Sequence, residues 1–447
     1  MELKRKLFNE LLRWKNSSGN KRPLLLVGGY RTGKSYLAEQ FAACEYESSL
    51  RIRLSALPPK LRSLLASKEP DPSRILQLLQ HYAKVRLIPG RSLILFDGLE
   101  ECPEARQLLT RLSAMRRYDC MGISSGYDCR TEYEKPYGSL SEKVLMMHPL
   151  DFEEFLWALG DESSYPLIRE HFQLGKPLER MTHFRIMDAF RQYLMTGGMP
   201  EAIAGYGADK DLAEADLQKR ELLRLYRAKI KTFPNNRAEK ALAVFSHIPV
   251  FLGGKEKKFR LSVLGSSARM REYEKAFRNL IRSFIANPCY NAAEPETGSL
   301  TPIKNKTGKL YLSDTGLLLS LAGGDEDFLD NALYRDILLD RLNTGNGMLL
   351  ENIVSQMLTA SGHPLLFYSR SDSMGHANRM EIDFLIRREG KLSPLEVKST
   401  ALRQGTSLHK FISRFGKQPL EPFVLWLGNL GEKDGIRCLP VYMAGLL

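Results

Sequence analysis

The period of the hydrophobic positions changes several times along this chain. Leu3, Leu7, Phe8, Leu11 and Trp14 recur at helical spacing among charged residues, which predicts a short amphipathic helix at the start. Two unbroken apolar runs follow, Leu24-Leu25-Leu26-Val27 and Leu93-Ile94-Leu95-Phe96, the second set off by Pro89-Gly90 and Asp97-Gly98. Short apolar runs bounded by turn residues read as strands buried on both faces. Met121–Gly126 reads as a third, shorter strand, and Leu37 and Phe41 mark one face of a helix after the first. Strands alternating with helices imply a parallel sheet covered on both sides, with ligands bound at the carboxyl ends of its strands.

From Asp151 to about Lys231 the spacing turns helical, opened by Phe152, Phe155 and Leu156 and closed by Leu217, Leu222, Leu225 and Tyr226. Gly197-Gly198-Met199-Pro200 interrupts it, and because proline cannot continue a helix without strain this is a structured corner or an interhelical turn. Between Phe233 and Leu312 a helix carrying Ala241, Phe245 and Ile248 precedes the basic segment Lys255–Arg260. A second helix there has Tyr273, Phe277, Leu280, Ile281 and Phe284 on one face and Arg269, Arg271, Lys275, Arg278 and Arg282 mostly elsewhere. With two strand-like pieces ending at Lys309-Leu310-Tyr311-Leu312, the segment reads either as a winged-helix module or as a helical connector whose charges are solvated.

Composition narrows the classes. The 447 residues carry a formal net charge of +13, which favours a polyanionic partner such as nucleic acid, although charge alone identifies none and a solvated basic surface gives the same sum. Six scattered cysteines form no CxxC pair, so neither a zinc site nor a disulfide framework is indicated. No apolar run is long enough to span a membrane and the start of the chain is unlike a signal peptide, so a soluble, cytoplasmic protein without a membrane partner is expected.

Two segments carry chemistry. After the first strand stands Gly28-Gly29-Tyr30-Arg31-Thr32-Gly33-Lys34-Ser35, followed by Tyr36 in the next helix. In the GxxxxGKS pattern the glycines let backbone N–H groups turn inward around phosphates, Lys34 addresses the phosphates and Ser35 the Mg²⁺ of a bound ATP. The helix that starts there adds its positive end. Asp97, at the carboxyl end of the next buried strand, is placed to hold the same Mg²⁺, and Ser124 and Ser125 are candidate sensors of the terminal phosphate.

The second segment joins Glu351, in a helical Leu349–Val354 run, to Asp383 in Glu381–Ile386 and to Glu396-Val397-Lys398. Alternation along a strand puts Glu396 and Lys398 on one side with Val397 behind them in the core. A hairpin turning at Arg388-Glu389-Gly390-Lys391 would bring Asp383 opposite Glu396. Converging carboxylates bind a hard cation, Mg²⁺ here, with Glu351 completing the shell through a water and Lys398 orienting or deprotonating the attacking water.

These residues together resemble a prokaryotic family in which an AAA-type ATPase core is fused to a PD-(D/E)xK nuclease-like domain. The resemblance covers nearly the whole chain and rests on GGYRTGKS, on Asp97–Ala105, His148–Leu156 and Gly197–Ala202, and on Glu381–Ser399. It implies an α/β fold: a P-loop core with its N-terminal helix over residues 1–160, a helical lid over 161–231, a winged-helix module over 232–315 and a nuclease-like α/β domain over 316–447. It also implies Gly198 and Pro200 near the nucleotide base. In similar proteins a Glu that polarises water directly follows the strand Asp, but here that position is Gly98. Glu100 and Glu101 stand close by, yet a displacement of two or three residues usually points a side chain elsewhere. The expectation is tight ATP binding with slow or partner-dependent hydrolysis. Such cores often form rings, which would make a homo-oligomer, but no arginine finger is evident beyond the candidates Arg130 and Arg185. The leading reading is a nucleotide switch coupled to a metal-dependent nuclease acting on DNA; the runner-up is a non-catalytic switch whose nuclease-derived fold is a binding platform.

Overall fold

The computed structural model describes residues 3–17, 21–66, 71–102, 104–126, 142–233, 237–254, 259, 261–265, 268–293, 295, 300, 302, 308–324, 328, 330–339, 347–370, 380–400, 406–417 and 419–447. It divides into two compact units, Lys4–His148 with Ile281–Ile285, and Pro149–Leu280 with Ala286–Leu447. Arg130 and most of the basic segment 255–260 lie outside the described residues.

The first unit is built on five parallel strands, β1 (Leu24–Gly28), β2 (Ser48–Arg53), β3 (Ser92–Asp97), β4 (Asp119–Ser124) and β5 (Lys143–Met147), in the order β2-β3-β4-β1-β5. The third expected strand starts two residues earlier and stops at Ser124, two residues before Gly126. Because side chains alternate, Leu24 and Leu26 enter one core cluster and Leu25 and Val27 another, on opposite faces of the sheet. The helix Leu7–Lys15 closes the first of these with Leu11 and Trp14, and Phe8 meets Phe41 edge-on at 5.6 Å. Full burial of Phe41 contributes about 1.5–3 kcal/mol relative to leaving it exposed.

The second unit opens with the helices expected from residue 151 onward, from Phe152–Ala158 to Leu212–Lys231. Asp151 caps the first with a capping box to Glu154. These helices pack on the C-terminal segment: Gln356 Nε2 donates to Tyr193 Oη at 3.0 Å, and His183 Nδ1 lies 2.9 Å from Tyr442 Oη. The helical block thus shares a core with the C-terminal fold, whereas the resemblance led us to expect a separate lid.

Among the described residues nine strands complete this unit: β6 (Ala286–Asn291), β7 (Lys309–Leu312), β8 (Leu366–Arg370), β9 (Met380–Ile382), β10 (Phe384–Arg388), β11 (Lys391–Val397), β12 (Phe423–Trp426), β13 (Gly431–Lys433) and β14 (Ile436–Pro440). They form a four-stranded sheet β7-β6-β8-β9 and a five-stranded sheet β10-β11-β12-β14-β13. Here the structure departs from a winged helix. β7 does pair with β6, but β6 pairs on its other side with β8, and all four residues of β7 are buried. β7 is the edge strand of this sheet, but its residues are buried, whereas a wing stands out in solvent. The helix Met270–Arg282 is two-faced as expected, with Arg271, Lys275 and Arg278 exposed and Ala276 and Leu280 buried.

β10 and β11 form the expected hairpin, turning through Glu389 and Gly390, both at positive φ (+48° and +79°). Two consecutive left-handed residues give the turn whose twist matches that of the strands. The chain crosses from one sheet to the other between Ile382 and Phe384, so Asp383 occupies the break itself.

Candidate functional site

In the first unit, β1 runs into the phosphate loop. A Cβ at Gly28 would stand 2.1 Å from Met147 O, so β5 leaves room only for glycine there. Arg31 and Gly33 have φ of +65° and +91°, and Gly33 is the residue before the helix Lys34–Glu45. The loop is held from behind by Arg5, whose guanidinium donates to Thr32 O at 3.1 Å and to His148 O at 2.6 Å, and by Thr32 Oγ1 donating to Gly29 O at 2.9 Å. Tyr30 is half-buried and Tyr36 is exposed.

Lys34 is buried and its ammonium donates to Gly29 O at 2.5 Å. Burial lowers its pKa to about 8, against the raising influence of the Glu100 and Asp97 carboxylates. Ser35 Oγ donates to Asp97 Oδ1 at 3.1 Å, so the two groups expected on Mg²⁺ already meet. Asp97 Oδ2 accepts from Arg51 at 2.7 Å, a partner on β2 that the sequence did not signal beyond its polar position in the strand.

Gly98 does not leave the site without a second carboxylate. Its φ of +89° starts a 3₁₀ turn, Leu99–Glu101, that swings Glu100 back toward the strand ends. Glu100 Oε2 accepts from Ser125 N at 3.0 Å and lies 3.1 Å from Ser124 Oγ, the two sensor candidates. The left-handed backbone at Gly98 thus brings Glu100 to the end of β4.

Gly198 and Pro200 belong to the unit without the phosphate loop. Gly198 N donates to the buried Asp314 Oδ2 at 2.6 Å, a Cβ at Gly198 would stand 2.1 Å from Leu150 O, and Pro200 opens the helix Pro200–Tyr206. These contacts account for the corner in packing terms. Arg185 is exposed on the helix Arg180–Thr196.

The second unit gathers Glu351, Asp383, Glu396 and Lys398 on one cavity of about 450 Å³, joined by Glu381 and Ser407. Glu351 projects from the buried helix Gly347–Ala360, and its Oε2 accepts from Tyr311 Oη at 3.0 Å. Asp383 Oδ2 accepts from Val397 N at 2.9 Å, which ties the sheet break to β11. Val397 itself is only half-buried and lines the cavity instead of lying behind it in the core. Glu396 is 2% exposed; its Oε1 accepts from Leu408 N at 3.1 Å, in the first turn of the helix Ser407–Phe415, while its Oε2 accepts no hydrogen bond among the described residues. Lys398 Nζ stands 3.7 Å from that oxygen. Burial raises the Glu396 pKa, opposed by Lys398 and the Leu408 N–H.

A residue absent from the expected set completes the picture. Lys309, on β7, is fully buried with its ammonium 3.0 Å from Glu381 Oε1, 3.8 Å from Glu351 Oε2 and 3.9 Å from Asp383 Oδ1. Burial alone would lower its pKa, but Glu351, Asp383 and Glu381 raise it above the ordinary lysine value. Among the described residues no three acidic, imidazole or thiol groups are gathered as a metal-holding set, although the expected carboxylates share one cavity. Only the apolar spacing of β7 was readable in the sequence; a lysine opening a fully buried strand was the available signal.

Comparison with known proteins divides the chain in three. Residues 20–156 match a family model described as an AAA domain, residues 187–327 a domain of unknown function (DUF8612) and residues 346–441 a domain of unknown function (DUF4143). No curated protein matches the chain. Among solved structures, the Aeropyrum pernix ORC1 protein in complex with DNA is 14% identical with a TM-score of 0.28, covering 73% of this chain and 92% of that one. C. elegans PCH-2 is 13% identical with a TM-score of 0.27, covering 49% and 71%. Drosophila ORC bound to DNA is 17% identical with a TM-score of 0.26, covering 61% and 79%. No described helix is long and apolar enough to cross a membrane. The matched family and the phosphate loop beside Asp97 agree: residues 20–156 form an AAA-type P-loop domain.

Proposed function

We propose that the protein is an ATP-binding AAA-type switch coupled to a nuclease-like site that acts on DNA. One observation carries this reading: Glu351 from a helix, Asp383 from the sheet break, and Glu396 and Lys398 from the end of β11 line a single cavity. The buried Glu396 Oε2 without a hydrogen bond is a donor that a hard cation would satisfy, and oxygen donors suit Mg²⁺. Glu351, Asp383 and Glu396 would hold that ion, which when bound would supply Lewis-acid stabilisation of a phosphodiester. Lys398, partly exposed beside Glu396, would hold or move the proton of the attacking water. The net charge of +13 favours a polyanionic substrate, and the exposed cations of Met270–Arg282 add to it.

At the phosphate loop, Lys34 would neutralise the ATP phosphates while Ser35 and Asp97 hold Mg²⁺. Hydrolysis is slow in this reading because Glu100, the carboxylate that replaces the missing one at Gly98, is engaged by Ser124 and Ser125. The test is Mg²⁺-dependent degradation of DNA by the purified protein. Cleavage that survives Lys34→Ala but disappears in Asp383→Ala and Lys398→Ala is expected; equal cleavage by all variants would indicate contamination and sink the reading.

The ion pairs of Lys309 with three cavity carboxylates favour a second reading, a non-catalytic switch with a nuclease-derived binding platform. It predicts that ATP raises the melting temperature by linkage while neither phosphate release nor DNA cleavage occurs.

A further inference from the structure

We propose that Lys309 is a built-in cation of the acidic cavity, holding Glu351, Glu381 and Asp383 in competition with a divalent ion. The inference rests on the reading of this cavity as a metal site and adds what sets its affinity.

Three observations lead to it. The ammonium is shielded from solvent: Lys309 is buried, in a strand whose four residues are all buried, with its charge 5.2 Å from the Phe367 ring centroid. Its strand is fastened in place, because Leu312 N donates to Asn352 Oδ1 at 2.9 Å and Asn352 Nδ2 returns a bond to Leu312 O at 3.1 Å. Its three carboxylates come from the helix that carries Glu351, from β9 and from the sheet break at Asp383, so one charge ties together the elements that would present metal ligands.

Charge accounting gives the consequence. Four carboxylates, Glu351, Glu381, Asp383 and Glu396, face two ammonium groups, Lys309 and Lys398. With all six ionised, two negative charges remain, the amount one divalent cation would neutralise. Without Lys309 the excess is three. A fixed positive charge this close to the ligands weakens the field that a divalent ion feels, and the low-dielectric surroundings keep solvent from screening it. It also draws Glu351 Oε2 and Asp383 Oδ1 toward β7, whereas Glu396 Oε2, out of its reach, is the oxygen left without a hydrogen bond. Lys309 is thus a positioning residue: it keeps the ligands ordered in the absence of metal and lowers the affinity for a divalent ion.

The test is Mn²⁺ affinity of the full-length protein without nucleotide, read from the paramagnetic resonance signal of free Mn²⁺, in wild type, Asp383→Asn, Lys309→Met, Glu381→Gln and the double variant Lys309→Met/Glu381→Gln. Outer partners of metal ligands commonly move affinity by about 10–100-fold, and Lys309→Met is expected to tighten Mn²⁺ binding by that amount. Glu381→Gln should weaken it, because the ammonium then falls to Glu351 and Asp383 alone. The double variant removes a charge of each sign and keeps the buried balance, so it guards against a single variant that does not fold; it is expected to bind Mn²⁺ about tenfold or more tighter than Glu381→Gln. A double variant no tighter than Glu381→Gln overturns the inference while leaving the metal site standing if Asp383→Asn still abolishes binding. Absence of Mn²⁺ binding in every protein overturns both.

Discussion

Two buried lysines sit at the two candidate sites and have opposite electrostatic fates. Lys34, at the phosphate loop, is pushed down to about 8 because burial outweighs the attraction of Glu100 and Asp97. Lys309, behind the acidic cavity, is pushed up because Glu351, Asp383 and Glu381 together outweigh burial. The difference lies in contact, since Lys309 has a carboxylate oxygen at 3.0 Å and two more within 4 Å, while Lys34 is satisfied by the carbonyl of Gly29. An undercompensated ammonium is a site prepared for an anion. Lys309 has its counter-charges around it already, although its Nζ makes no hydrogen bond among the described residues.

The strongest way to break this comparison is to make the same substitution at both places. Lys309→Met leaves three carboxylates without their buried cation and should lower unfolding free energy by about 3–5 kcal/mol, measured by urea denaturation. Lys34→Met removes a poorly compensated charge and should leave the stability of the nucleotide-free protein unchanged or slightly higher. Equal losses at both positions would show that the two environments are alike. Next in size is Lys34→Ala, which should weaken ATP binding by about 2–3 kcal/mol, the worth of a charge-assisted hydrogen bond to a phosphate, in a calorimetric titration.

A pH series sharpens the same point. Because the folded pKa of Lys34 is near 8, below the unfolded lysine value, the unfolded chain binds more protons between those two values. The Lys34 contribution to stability in the absence of ATP therefore rises with pH above about 8. ATP binding, which requires the ammonium, should be flat below about 8 and weaken about tenfold per pH unit above it. A flat profile to pH 9.5 would place Lys34 with Lys309. The smallest expected effect is at Glu100: Glu100→Gln should lower ATP turnover about tenfold, at the low end of a general base's contribution, with ATP affinity changed less than about threefold.

Much of this arrangement was legible in the sequence, for reasons that differ by region. The strands Leu24–Gly28 and Ser92–Asp97 announce themselves because parallel strands buried on both faces are continuous apolar runs. The order helix, strand, strand for Glu351, Asp383 and Glu396 was readable because the hairpin register follows from a two-residue turn at Glu389-Gly390. What was not readable depends on tertiary neighbours. Lys309-Leu310-Tyr311-Leu312 has the local pattern of a wing, and only its pairing through β6 with β8 shows that it underlies the cavity. Gly98 looked like a deletion of function, and only its left-handed backbone shows where Glu100 goes. Arg51 and Arg5, which hold Asp97 and the phosphate loop, are basic residues like dozens of others until the fold brings them there.

The most direct measurement is a crossed titration of ATP and Mn²⁺ into wild type, Lys34→Ala and Asp383→Asn. Two separate sites, one prepared for an anion and one for a cation, predict that Lys34→Ala loses ATP and keeps nucleotide-free Mn²⁺ binding, while Asp383→Asn loses Mn²⁺ and keeps ATP. Mn²⁺ binding that is untouched by Asp383→Asn would contradict the account at its centre.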